Sequence, residues 1–152
     1  TKQVGAWPVQ LYARPPLPPT PRNVAFQNGV QLAGFALQPT TLRAGDYLVV
    51  YLLWQGDPAR LDGGEKVFVQ LLNEAGQLVA QDDRPLVLPP PTAVTSLSIY
   101  AILLPEDLPA GRYQLITGLY DPAQAGAPRI PTRAGDDHVD LGEPLPSVGY
   151  AQ

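Results

Sequence analysis

The chain has 152 residues, of which 45% are apolar and 16% are charged, and its formal net charge is −4. This length is enough for one domain with its own hydrophobic core. The acidic balance, with no cluster of Lys and Arg, excludes a nucleic-acid surface, which needs basic residues opposite the phosphates. The absence of cysteine excludes a zinc–thiolate site.

Proline is the residue whose frequency departs most from the average, since it fills 19 of 152 positions, about 12% against the usual ~5%. Proline is disfavoured inside helices and central strands, so its abundance predicts short extended segments joined by stiff loops. No run approaches the ~18–20 apolar residues that a membrane helix needs, and we expect no direct membrane insertion. The sequence starts at Thr1 and contains no methionine, so we expect it to be a piece of a longer protein.

The first 22 residues form a proline-rich arm. They contain six prolines, four of them between positions 15 and 19, a composition that favours a semi-rigid polyproline II connector. Trp7, Leu11 and Tyr12 are apolar enough for part of this arm to pack on the domain. We therefore divide the chain into an arm, 1–22, and a β-sandwich domain, 23–152.

Two features near the start of the domain predict strands. Asn28-Gly29 separates two extended runs, 23–27 and 30–37, and predicts a hairpin with a type I′ turn. The next run, Tyr47–Gln55, is apolar at both alternating sets of positions, which predicts a central strand covered on both faces.

Turn residues punctuate the rest of the domain and predict further strands. In 94–103, Ser96 and Ser98 alternate with Leu97 and Ile99. After a polar turn, Tyr113, Leu115 and Leu119 alternate along a run that ends at Asp121-Pro122. In all, the predicted strands after Gln55 cover 66–72, 77–81, 94–103, 113–120, 138–141 and 146–150. With eight or nine strands and no amphipathic helix, the sequence predicts a single antiparallel β-sandwich, immunoglobulin-like or jelly-roll.

Acidic residues form two clusters that are candidates for a metal site or a catalytic pair. Asp136, Asp137, His138 and Asp140 offer three carboxylates and the single histidine within five residues, a weak candidate for a metal site. The spacing lacks the glycine-pivoted pattern of an EF-hand, and we prefer a solvated turn before a strand.

The second acidic cluster, Asp82-Asp83-Arg84, predicts a local ion pair or a turn. Adjacent acids on an extended chain point to opposite faces, so this pair does not resemble the two facing carboxylates of a glycosidase. No Gly-x-Ser-x-Gly elbow, phosphate loop or dinucleotide fingerprint is present. We therefore predict no enzyme activity, no catalytic residue and no cofactor.

Aromatic side chains are the remaining candidates for ligand contact, because sugars bind to exposed aromatic faces. Trp54, Tyr100 and Tyr120 fall on predicted strands, and Asp121 follows Tyr120 directly. The core is the alternative location for each aromatic, and most strongly for Trp54. Among the three, Tyr120 is the best candidate for an exposed position.

Four stretches carry a family resemblance in their order along the chain: NVAFQNGVQLAGFAL, AGDYLVVYLLWQ, KVFVQLLNEAGQLVAQDDRP and YAILLPEDLPAGRYQLITGLYDP. Together they resemble the extracytoplasmic β-sandwich at the C-terminal end of bacterial polytopic membrane glycosyltransferases of the protein-mannosyltransferase type, and of related uncharacterised membrane proteins. The resemblance covers positions 11–145. Relatives usually carry a tryptophan-containing stretch before the sixth strand, and 89–95 is short and lacks it.

The matching positions are turn, strand or core positions and name no site. They are Gly34, Phe35, Gly45, Trp54, Phe68 to Leu72, Gly76, Pro109, Gly111, Tyr113 and Gly118 to Pro122.

The resemblance implies a non-catalytic, extracytoplasmic accessory domain of a larger membrane glycosyltransferase-like protein. It implies a glycan or an envelope protein, and the membrane portion of the parent chain, as partners. None of the parent's catalytic residues has a counterpart here. Two alternatives stay open, namely an autonomous carbohydrate-binding module and a structural cell-surface spacer without a ligand.

Overall fold

The structure is a computed structural model and describes residues 20–38, 42–61, 63–90 and 92–142. It contains nine strands and a 3₁₀ turn, Pro58–Arg60, in which the Asp57 side chain accepts a hydrogen bond from the Ala59 N–H. The strands are β1 Thr20–Ala25, β2 Gln31–Gln38, β3 Tyr47–Gln55, β4 Lys66–Leu72, β5 Leu78–Pro85, β6 Ser96–Leu103, β7 Gln114–Tyr120, β8 Arg129–Ile130 and β9 Val139–Asp140.

The strands form two antiparallel sheets. The first sheet has the order β1-β2-β3-β6 and the second has the order β5-β4-β7-β8, with β9 also paired to β7. This confirms the predicted all-β sandwich and its strand number. In the described ranges no helix has the length and hydropathy of a membrane span.

The connections decide between the two predicted sandwich types. The hairpin β2–β3 lies in one sheet and the hairpin β4–β5 in the other, after which β6 returns beside β3 and β7 beside β4. This is an immunoglobulin-like Greek key with β1 added at an edge. The Tyr113 hydroxyl donates to the Pro109 carbonyl just before β7, which is the tyrosine corner of that fold.

The core lies between the sheets and is built from alternate residues of the central strands. On β3 these are Leu48, Val50, Leu52 and Trp54, and the second sheet contributes buried residues from β4 and β7. The inward residues of β4 and β7 are Val67, Val69, Leu71, Leu115, Thr117 and Leu119.

The prediction that both faces of β3 are covered is wrong for the described residues. The strand is central, as predicted, because β2 and β6 flank it. Its outward residues Val49, Tyr51 and Leu53 are nevertheless only partly buried, and Tyr47 is 55% exposed. The apolar residues on this second face therefore need an explanation other than the core.

The alternation along β6 places its serines on the inner face. Ser96 and Ser98 share that face with Tyr100 and Ile102, because they pair with the inward residues of β3. The remaining residues of β6 point outward. Alternation therefore identified the two sets but not which set faces the core.

The first hairpin is present, but its turn is not type I′. Gly29 has φ 91°, whereas Asn28 is not among the residues with positive φ. The Gly29 N–H donates to Phe26 O and the Phe26 N–H to Val30 O, so the loop has three residues with glycine in the left-handed position. Asn73–Gly76 repeats this pattern, with Gly76 at φ 79°.

Several predicted boundaries differ from the structure. Thr20 to Arg22, assigned to the arm, belong to β1. The rest of the arm and the predicted strand 146–150 lie outside the described residues. The short strand β8 was not predicted.

The two sheets are joined along one side by a side chain of β5. Asp82 points inward and accepts a hydrogen bond from the Ala101 N–H on the free edge of β6 at 3.0 Å. Arg84 donates to the same carboxylate oxygen, also at 3.0 Å. Asp83 points to the opposite face, as predicted for adjacent acids on an extended chain, and the predicted ion pair is present within a strand. The charged edge also blocks strand addition.

We expect Asp82→Ala to lower the free energy of unfolding by about 1–3 kcal/mol, because a charge-assisted hydrogen bond to a strand edge is lost. Asp83→Ala is the matched control, since its exposed carboxylate bonds only on the outer face, and it should change stability by less than ~0.5 kcal/mol. Urea denaturation of both variants measures the difference. Equal losses would show that Asp82 does not join the sheets.

Candidate functional site

The outer face of the second sheet carries a group of polar side chains, whereas the same strands bury mainly apolar residues on their inner side. We call the outward residues of β5, β4, β7, β8 and β9 named here the polar face. They are Gln70, Gln81, Asp83, Gln114, Tyr120, Arg129 and Asp140.

A tilted aromatic pair, Phe68 and Tyr120, lies at the centre of the polar face. Phe68 is outward on β4 but only 2% exposed, because the Arg129 guanidinium lies 4.1 Å from its ring centroid. Beneath the ring is Gly118 of β7, where a Cβ would lie 2.5 Å from a ring carbon. The absence of a side chain at Gly118 thus leaves the space that the Phe68 ring occupies.

Tyr120 extends this aromatic centre and stays partly exposed. Its ring centroid lies 6.4 Å from that of Phe68, and its hydroxyl donates to Asp83 at 3.0 Å. Partial burial, followed by the hydrogen bond and the negative charge of Asp83, raises the pKa of the Tyr120 phenol. The predicted exposed aromatic is therefore at the surface beside a carboxylate.

Planar polar groups surround the aromatic centre and pair with each other. Arg129 donates to Gln70 at 3.2 Å and lies 3.4 Å from the Asp137 carboxylate. Gln114 donates to Asp140 at 2.9 Å. The face thus holds amide, carboxylate and guanidinium groups, which offer paired donors and acceptors to a hydroxyl-rich ligand.

A cleft of about 480 Å³ adjoins this face between β1 and the turn that joins β8 and β9. Its charged lining includes Arg22, Arg133, Asp136, His138 and Asp140. Among the described residues, the side chains of Arg133 and Asp136 have no hydrogen-bond or ion-pair partner. The volume is in the range of small-ligand pockets.

The acidic cluster of 136–140 forms the predicted turn, and its groups, apart from the Asp136 carboxylate, are hydrogen-bonded within the chain. The Asp136 N–H donates to Thr132 Oγ1, and the Asp140 carboxylate accepts from Gln114 and from the Gly142 N–H.

Asp137 and His138 pair within the same turn. Asp137 accepts from His138 Nδ1 at 2.7 Å, and this hydrogen bond is the main cause that lowers the pKa of Asp137. Within the described ranges, no three His, Asp or Glu side chains are placed to hold a metal ion.

The prediction of a stacking platform is wrong for Trp54 and Tyr100. Both side chains are fully buried in the core, on the inner face of the first sheet. The Trp54 indole nitrogen and the Tyr100 hydroxyl lack hydrogen bonds of good geometry. The two groups and Ser98 lie close together, but burial dominates and raises the pKa of Tyr100 to about 12.

Asp121 is a turn residue, so its predicted role as a ligand contact is not supported by its position. It is 4% exposed and its carboxylate accepts from the Ala123 N–H and from the Gln124 side chain, both at 3.0 Å. These bonds close the turn after β7. Of the four predicted contacts, only Tyr120 remains at the surface.

Sequence reasoning missed Phe68, Gly118 and Arg129. These residues are separated by 50 and 11 positions, and only the pairing of β4, β7 and β8 brings them together. Gly118 inside a predicted strand was the one local signal, since such a glycine often marks a close approach.

The outer face of the first sheet has the opposite character. We call its outward residues on β3 and β6 the apolar face. They are Tyr47, Val49, Tyr51, Leu53, Leu97, Ile99, Ala101 and Leu103. Beside them on β2 lie Gly34, Ala36 and Gln38, and Tyr51 donates to Gln38 at 3.2 Å. None of these residues is charged.

Comparison with solved structures supports the fold. The chain is similar to the C-terminal domain of Wzt, with 13% sequence identity and a TM-score of 0.50, over 93% of this chain and 94% of that domain. At this identity the likeness shows the fold alone. No protein-family model matches the sequence, and no curated protein is significantly similar to it.

We expect Gly118→Ala to lower the free energy of unfolding by about 1–3 kcal/mol, because the new methyl group overlaps the Phe68 ring. In a chain that already carries Phe68→Leu, Gly118→Ala should lower the free energy of unfolding much less, because the planar ring is gone. Urea denaturation of the single and double variants gives the coupling energy. Additive losses would show that the ring does not occupy the space above Gly118.

We expect Tyr100→Phe to be at least as stable as the unchanged chain at neutral pH, because its buried hydroxyl has no well-formed hydrogen bond. The phenol pKa rises from 10.0 to about 12 on folding, so the folded state favours the protonated phenol. Its contribution is complete below pH ~10 and is lost as the pH rises towards ~12, on the order of 2–3 kcal/mol.

Urea denaturation across this alkaline range, with and without Tyr100, measures the contribution. The unchanged chain should lose more stability than Tyr100→Phe. A clear destabilisation of Tyr100→Phe at neutral pH would instead show that the hydroxyl is hydrogen-bonded.

Proposed function

We propose that this chain is a non-catalytic accessory domain that binds glycan through the polar face. The observation that carries the proposal is the array of planar polar side chains around Tyr120 on one sheet, beside the buried Phe68 ring. Glycan recognition needs hydrogen-bond donors and acceptors next to an aromatic surface. Tyr120, Asp83 and Gln70 supply these groups within a rigid sheet.

A binding role fits the side chains better than a catalytic one. Asp82 and Asp83 lie on opposite faces of β5, and both oxygens of Asp140 already accept hydrogen bonds. In the described part of the cleft, Asp136 is the carboxylate that remains uncommitted. A single free carboxylate does not provide the acid and base pair of glycoside hydrolysis.

We further propose that the domain serves a larger, extracytoplasmic membrane protein of the glycosyltransferase kind and holds acceptor glycan near it. The family resemblance of the sequence supports this context. The C-terminal domain of Wzt, which shares the fold, is by its name also one domain of a larger protein.

We expect envelope oligosaccharides to bind the chain, as measured by titration calorimetry after selection on a glycan array. Tyr120→Ala should weaken binding by about tenfold or more, since aromatic contacts of this kind contribute ~1–2 kcal/mol. Tyr51→Ala is the matched control, because Tyr51 is likewise outward on a central strand and hydrogen-bonded to a side chain of another strand in its sheet.

Three outcomes would contradict this proposal. Loss of binding in Tyr51→Ala but not in Tyr120→Ala would place the site on the first sheet. Loss in Arg133→Ala alone would place it in the cleft. Absence of heat with every oligosaccharide would favour the spacer alternative.

A further inference from the structure

The apolar face of the first sheet has no function in the glycan proposal and still calls for a covering partner. Tyr47 and Leu103 face each other across β3 and β6 and are 55% and 56% exposed. The face lacks any charge that would discourage contact. The largest apolar patch on a protein surface is often functional.

The size of the face argues against a second copy as its occupant. With nine residues along β3 and three strands across, it spans about 30 by 14 Å, or roughly 400 Å². A stable interface buries about 800 Å² on each partner. A segment tethered to the domain needs less area, because its effective concentration is set by the linker.

The N-terminal arm has the length and starting point to reach this face. Residues 1–19 lie outside the described part of the chain and lead directly into β1, the edge strand of the same sheet. Thr20 pairs with Phe35, which pairs with Leu52 and so lies level with the middle of the face. Residues 13–19, as polyproline II, would span about 22 Å, more than the roughly 14 Å between β1 and β6.

The arm also carries the matching side chains. Trp7, Val9 and Leu11 recur at every second position, so an extended segment presents all three on one side. Next to Tyr51 on β2 lie the small residues Gly34 and Ala36, which add no charge to this side of the sheet.

We propose that residues 7–12 of the arm dock on the apolar face of the first sheet. The docked arm supplies the second cover that the composition of β3 calls for. The occupant is thus a segment of this chain in which apolar residues alternate with others. The contact does not depend on glycan binding.

Trp7 fluorescence in the full chain tests the docking. The chain has two tryptophans, and Trp54 is fully buried, so the difference between the full chain and Trp7→Phe isolates the emission of Trp7. We expect that emission at short wavelength and weakly quenched by acrylamide. Ile99→Lys should shift it to long wavelength, while Gln81→Lys, a matched outward substitution on the second sheet, should not.

An arm variant keeps the test independent of sandwich folding. Leu11→Lys should give the same shift as Ile99→Lys, and Gln10→Lys, on the other side of the extended segment, should not. A Trp7 emission typical of a solvated indole would overturn the proposal. So would a Trp7 emission whose wavelength does not change in Leu11→Lys. Self-association in analytical ultracentrifugation that Ile99→Lys abolishes would overturn it in favour of a second copy.

Discussion

Because successive side chains of a strand point to opposite faces, each strand of this sandwich can give only one face to the core. On β3 that face carries Leu48, Val50, Leu52 and Trp54, all fully buried. The opposing sheet closes over them, and Asp82 joins the two sheets at their open side. Everything that the domain can present to another molecule must therefore lie on the two outer faces, in the loops or in the seam between the sheets.

The two outer faces differ in chemistry, and the difference originates in the outward residues of the central strands. On the second sheet, Arg129 covers Phe68 and bonds to Gln70, so an aromatic ring on the surface is shielded by polar groups. Those groups form hydrogen bonds with each other without a ligand. A hydroxyl-rich ligand can exchange these bonds for its own at little net cost. The first sheet presents no comparable polar network.

Much of the fold could be predicted from local signals, whereas only Tyr120 of the candidate site could be. Asn28-Gly29 marked a hairpin because glycine permits positive φ, although the loop has three residues rather than two. The period of β6 was visible, but period alone does not state which set of residues faces the core. Phe68 and Arg129 meet only after three strands have paired, and no local pattern in the sequence encodes that contact.

The outward face of β3 was predicted to be buried, and its incomplete burial bears on function. Its composition predicted burial on both sides, and the described sheets bury only one. A soluble sheet face normally carries charges that deter association, and none is present at the outward positions of β2, β3 and β6. These positions are therefore apolar without a demand from the core. A cover supplied by the arm satisfies that pattern, and it leaves the polar face on the opposite sheet free for a ligand.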